Sequence, residues 1–230
     1  MNRSRPILAF CALLLTAAGA AAQQRQEAWV SYRDAYRAMV VFEKYGQPKN
    51  LIQQHLQVMP REQGVSLEGV QLSLRGKTTE LSLPLDGAGR AVFPLLKAAY
   101  DENASLVLNR KPDDYRFRRR VSIAVRPDGV YDMAELRAAC AQVLAFVQYA
   151  EPGAGGRRCA GVRFAFVKGQ GEPGLRMRLA DGSSRPMPAV DGAAFADDPN
   201  ARYKVVNVML GATGQVLTQA VPVAIAAMID

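Results

Sequence analysis

One histidine, one tryptophan and three cysteines in 230 residues leave few ways to assemble a reactive centre. A single imidazole excludes a His-rich zinc site and limits acid–base chemistry. No Gly-x-Ser-x-Gly elbow and no Ser-x-x-Lys motif occurs. The acidic pairs Asp113-Asp114 and Asp197-Asp198 lack the ligand ladder of a calcium loop and read as turns. No metal or cofactor is expected. The longest apolar run, Ile7 to Leu15 with its Ala-rich extension, is too short to span a bilayer well.

What is present is a foldable, basic chain. Hydrophobic residues make up 49%, enough to bury a core and to exclude general disorder. The 29 Lys+Arg against 21 Asp+Glu give a formal charge of +8. Part of that charge sits in an address. Arg3 and Arg5 precede the apolar run, and Ala20-x-Ala22 closes it with small residues, the order of a cleaved secretory signal over 1–22. Removing Arg3 and Arg5 leaves 27 basic against 21 acidic residues, +6. Arg outnumbering Lys, with abundant Ala, suggests a Gram-negative bacterium of high GC content, hence the periplasm or the medium. After cleavage no transmembrane segment remains. Cys140 and Cys159 also remain, and in an oxidising compartment they are expected to form one disulfide.

Residues 23–62 read as a helical hairpin. Tyr32, Tyr36, Met39 and Val40 recur at helical spacing, Gly46 and Pro48 mark the connection, and Leu51, Ile52, His55, Leu56 and Met59 suggest a second helix ended by Pro60. From 63 to 230 the period becomes two. Val70, Leu72 and Leu74, then Leu81, Leu83 and Leu85, alternate with polar or proline positions. Ser105–Asn109, Val162–Val167, Leu175–Leu179, Tyr203–Leu210 and Gln215–Ile225 read as further strands, with a long loop over 181–200. One helix, 132–149, interrupts them: Asp132 and Glu135 fit a capping box, and Met133, Leu136, Cys140, Val143, Leu144 and Val147 form its stripe. No internal repeat is evident. The expected fold is mainly β, an antiparallel sandwich with one embedded helix behind an N-terminal helical hairpin.

The stretch Thr79 to Pro94, a strand ending in Asp86-Gly87-Ala88-Gly89 and resuming as Arg90-Ala91-Val92-Phe93, resembles the strand-turn-strand of carboxypeptidase-regulatory and transthyretin-like sandwiches. The layout is also similar to that of uncharacterised exported proteobacterial proteins. The resemblance implies a non-catalytic sandwich and transfers no site residues.

The most distinctive chemistry is a basic strand. Between 110 and 120 stand Arg110, Lys111, Arg116, Arg118, Arg119 and Arg120, interleaved with Tyr115 and Phe117. On a strand, Arg116, Arg118 and Arg120 share one face at about 6.5–7 Å spacing, able to grip carboxylates or phosphates. With Lys111 they are the candidate anion- or partner-binding residues. The alternative is a charged face or edge that resists aggregation, in part neutralised by Asp113 and Asp114. Export argues against nucleic acid and for an anionic envelope component or a protein partner. Other motifs are weaker. His55 lies on an apolar stripe and reads as a packed histidine. Gly169 to Gly174 fits G-x-G-x-x-G, but strand-like alternation follows it, so it reads as a hairpin loop. The sequence therefore points to an exported, non-enzymatic binding or interaction module. The alternative is a periplasmic hydrolase with a site assembled from dispersed acids or serines. Oligomeric state and partner identity are written in no motif.

Overall fold

The computed structural model describes residues 28–169 and 171–230. The export signal expected over 1–22 lies outside the described residues. Its elements, in chain order, are β1 (Ala28–Ser31), α1 (Tyr32–Lys44), β2 (Ile52–Pro60), β3 (Leu72–Arg75), β4 (Glu80–Leu83) and β5 (Arg90–Ala91). Then follow α2 (Lys97–Asp101), β6 (Ser105–Leu108), β7 (Tyr115–Ile123), β8 (Val130–Asp132), α3 (Met133–Ala150) and β9 (Cys159–Val167). The chain finishes with β10 (Arg176–Arg178), β11 (Ser184–Pro186), β12 (Val190–Gly192), β13 (Tyr203–Met209), β14 (Gln215–Leu217) and β15 (Ala224–Ile229).

The fold is mainly β and sandwich-like. A seven-stranded antiparallel sheet runs in the order β12-β13-β9-β15-β7-β2-β5. Two four-stranded sheets, β1-β6-β3-β4 and β11-β10-β14-β8, cover one of its faces together with the helices. Under the first, Leu56 and Val58 of β2 pack on Leu72, Leu74, Leu106 and Met39. Under the second, Phe164 and Ile225 pack on Met177, Val216, Leu136 and Phe146. The strand-turn-strand over 79–94 is divided between sheets, β4 pairing β3 and β5 pairing β2.

The second helix of the expected hairpin is instead strand β2, at the centre of the large sheet, so no boundary falls near residue 62. The segment 51–59 satisfies both periods: Ile52, Leu56 and Met59 at helical spacing, Ile52, Leu56 and Val58 in alternation. Tertiary pairing decides between them. All nine residues of β2 lie opposite β7, and both faces are covered, so Gln57, Val58 and Met59 are all buried. A helix would bury one stripe only. The loop expected over 181–200 contains β11 and β12. At α3, Asp132 stands at the N-cap without a side-chain cap bond. Its Oδ1 accepts a hydrogen bond from Gln215 Nε2 at 2.7 Å, while Glu135 pairs with Arg126 at 3.2 Å. The expected capping box is thus replaced by ties to other elements.

The absence of an internal repeat in the sequence reading is overturned by the topology. β1-α1-β2-β3-β4-β5-β6-β7 and β8-α3-β9-β10-β11-β13-β14-β15 follow the same course, and every pairing of the first recurs in the second. β6 stands between β1 and β3 as β14 stands between β8 and β10. β2 stands between β5 and β7 as β9 stands between β13 and β15. Local bonds recur too. The amide of Tyr32 donates to Ala104 O at 2.9 Å and that of Met133 to Gly214 O at 3.0 Å; Gly76 donates to Thr79 O and Leu179 to Ser183 O. The buried helix positions correspond at a constant offset: Tyr32 with Met133, Ala35 with Leu136, Met39 with Cys140, Phe42 with Val143. The equivalent strands β7 and β15 meet antiparallel at Ile123 and Ile225, so the two repeats are related by an approximate two-fold axis. Equivalent residues Tyr45 and Phe146 touch near that axis, ring centroids 5.3 Å apart.

The repeats are not identical: α2 has no counterpart in the second and β12 none in the first, and two connections differ in length. The tight turn from Asp86 to Arg90, closed by hydrogen bonds between these residues, becomes the long loop 193–202 in the second repeat. The link after α3 is also longer and is bridged by Cys140–Cys159, Cα atoms 6.1 Å apart. A loop of this length is worth about 3 kcal/mol in the chain-entropy account. Replacing both cysteines by alanine is expected to lower unfolding free energy by about that amount in denaturant titration. An unchanged midpoint would show that the bond does not contribute.

Candidate functional site

The arginine row lies on β7, which stands between β2 and β15, paired with β2 along its length and with β15 at Ile123 alone. The register sets Arg120 opposite His55, Arg118 opposite Gln57 and Arg116 opposite Met59. These side chains share the face of the sheet turned away from the helices. Arg119 points the other way, its Nη1 donating to Ala38 O at 3.2 Å and its guanidinium over Phe146.

The loop 193–202 folds over this face and brings its own acid. Arg118 donates through Nε and Nη2 to Asp197 Oδ2 at 3.1 and 2.8 Å. Arg120 donates to Asp197 Oδ1 at 2.8 Å and to Gln57 Oε1 at 2.7 Å. Arg116 reaches the Asp197 carbonyl at 3.0 Å. The Arg120 guanidinium stacks 4.2 Å from the Phe195 ring centroid. Burial pushes Asp197 up, but Arg120 and Arg118 outweigh it and hold the carboxyl below its ordinary value. Burial is also the main influence on Arg120, lowering its pKa against the opposing pull of Asp197. The side chain of Arg120 is 14% exposed, whereas that of Arg118 is 49% exposed and still faces solvent.

Beside this row lies a second polar cluster. Buried Arg90 donates to Asp86 Oδ2 at 2.9 Å, to Ser122 Oγ at 3.1 Å and to the Val223 carbonyl. His55 is half-buried on the same face, with its Nδ1 buried and unpartnered among the described residues. Burial, then the nearby Arg90 charge, lowers its pKa.

Between β7 and β15 the sheet opens. The two strands share one register pair, Ile123 with Ile225, and no further ladder pair joins them among the described residues. The resulting cleft encloses about 510 Å³. Val121 and Ala227 flank it, Val143 and Val147 of α3 close it on the helix side, and Phe195 and Asp197 border it on the opposite face. Arg118, Arg120 and Arg163 line that opposite face. Arg163 bonds Asn207 Oδ1 at 2.9 Å and Ala193 O at 3.3 Å, and meets no carboxylate among the described residues. Glu151, Arg157 and Asp230 line the cleft as well. Another recess, about 560 Å³ at the start of α3, holds Arg126 and Arg137, but Arg126 is already tied to Asp128 and Glu135.

Of the sequence candidates, Arg118 and Arg120 reach the cleft. Arg116 is held under the loop, and Lys111 is exposed in the turn before β7, away from the cleft lining. Asp113 and Asp114, expected to neutralise the row, make no ion pair with it among the described residues; Asp197 does so instead. Arg163 and Phe195 gave no local signal at all. Of Gly169 to Gly174, residues 169 and 171–174 lie between β9 and β10 outside any helix or strand, and Gln170 lies outside the described residues. No family model, curated protein or solved structure matches the chain.

A depressed histidine pKa ties stability to pH. The unfolded chain binds a proton at His55 more readily than the folded one, so His55 costs nothing above its unfolded pKa, near 6.5, and destabilises as pH falls below it. Chemical denaturation at pH 7.5 and 5.5 should show a loss on acidification that His55→Gln reduces. Equal losses in parent and variant would exclude His55 as the source.

Proposed function

We propose that the protein is an exported binding module that holds an anionic partner at the arginine-lined mouth of the β7–β15 cleft. The observation that carries this reading is a group of arginines with uncommitted donors around a concave opening. Among the described residues Asp197 is the one carboxylate that ion-pairs with Arg118 and Arg120, and Arg118 keeps half its surface in water. A single carboxylate bridging two guanidiniums leaves donor capacity on Arg118. Arg163 satisfies its donors only with neutral oxygens. A second carboxylate presented at the mouth gains charge-assisted hydrogen bonds without displacing Asp197. The partner is then an acidic polymer or protein segment of the cell envelope, in keeping with the export signal expected at the N-terminus.

Retention of the mature chain on immobilised poly-L-glutamate at low salt tests this. Arg118→Gln with Arg163→Gln should weaken retention at least tenfold, while Arg110→Gln with Lys111→Gln leaves it nearly unchanged. The proposal fails if the first pair is retained like the parent, or if the parent is not retained.

A further inference from the structure

The cleft separates two strand edges that face each other inside one sheet. Among the described residues, no strand, loop or side chain hydrogen-bonds to the cleft-facing backbone of β7 over 117–121 or of β15 over 227–229. Unpaired backbone beside a core is costly, and sheets rarely leave such edges open. The other edges of both strands are fully used: β7 pairs β2 along all nine residues, and β15 pairs β9 throughout. The opening is therefore confined to the junction of the two repeats.

The two sides of the cleft differ in chemistry as the two faces of a strand do. Toward α3 it offers Val143 and Val147, with Glu151 at the helix end; toward the loop 193–202 it offers Arg118, Arg120 and Arg163 around Asp197. Side chains of an extended chain alternate between two faces. We infer that the cleft takes an extended peptide with alternating apolar and acidic residues, which adds a strand between β7 and β15 and completes the sheet. About four residues, roughly 13 Å of strand, fit the open edges. Backbone hydrogen bonds supply affinity along both edges, the apolar side chains enter beneath α3, and the acidic ones meet the arginines. The inference rests on the anionic partner proposed above and adds its backbone conformation.

The test uses the mature protein and a ten-residue acetylated peptide of alternating Val and Glu. A second peptide has the same sequence but is N-methylated on alternate residues, which removes backbone donors and keeps the charge. The first should bind, and hydrogen exchange should slow in 117–121 and 227–229. The second should bind at least tenfold more weakly. Equal binding of the two peptides, protection elsewhere in the chain, or no peptide binding while poly-L-glutamate is still retained overturns the strand inference and leaves the anionic site standing. Loss of both peptide binding and poly-L-glutamate retention overturns both.

Discussion

A single ladder contact, Ile123 against Ile225, joins the sheets of the two repeats into one. Everything on either side of it is complete in itself: each repeat has its helix, its small sheet and its share of the large one. What reinforces the junction is packing and charge rather than further pairing. Phe42 and Tyr45 at the end of α1 meet Phe146 of α3 at 5.1 and 5.3 Å between centroids, and such contacts add about 0.5–1.5 kcal/mol each beyond the area they bury. Arg90 of the first repeat donates to the Val223 carbonyl of the second. These contacts hold the halves together while leaving the backbone between them open.

The loop 193–202 is the second constraint. It occupies the position of a tight turn in the first repeat, and its extra length lets Phe195 and Asp197 reach the arginines of β7. Without it, three guanidiniums would stand on one strand face with no acid beside them. Arg120, largely removed from solvent, depends on Asp197 and Gln57 for its donors, since an unpaired buried charge is costly. Arg118 depends on Asp197 less, because water still reaches it. The row is thus divided into arginines committed to the fold and one that remains available.

Much of the fold was legible before any coordinates. The alternation over Tyr115–Val125, which the structure ends at Ile123, the helix at 132–149, the Cys140–Cys159 pair and the mainly β class follow from patterns that act within a few residues. Residues 52–60 were read wrongly because the segment carries both periods, and only the partner strand selects between them. The duplication was hidden for a related reason. Packing demands apolar side chains at equivalent places, not identical ones, so Met39 answers to Cys140 and Ala35 to Leu136. The offset also drifts at the longer link after α3 and at the loop 193–202. Faint echoes survive, as in Leu83-Pro84 and Asp86-Gly87-Ala88 beside Met187-Pro188 and Asp191-Gly192-Ala193. The site was half legible: the arginines stood out as a run, but Asp197, Phe195 and Arg163 come from distant strands and loops and converge only through long-range register.

An approximate two-fold axis passing through the opening between β7 and β15 has one more consequence. In a dimer of two identical chains, that opening would look the same from both ends. In one covalent chain the ends differ: the loop 193–202, the disulfide and the arginine row each belong to one repeat only. The cleft therefore has a head and a tail, and whatever lies along it meets a different chemistry in each direction.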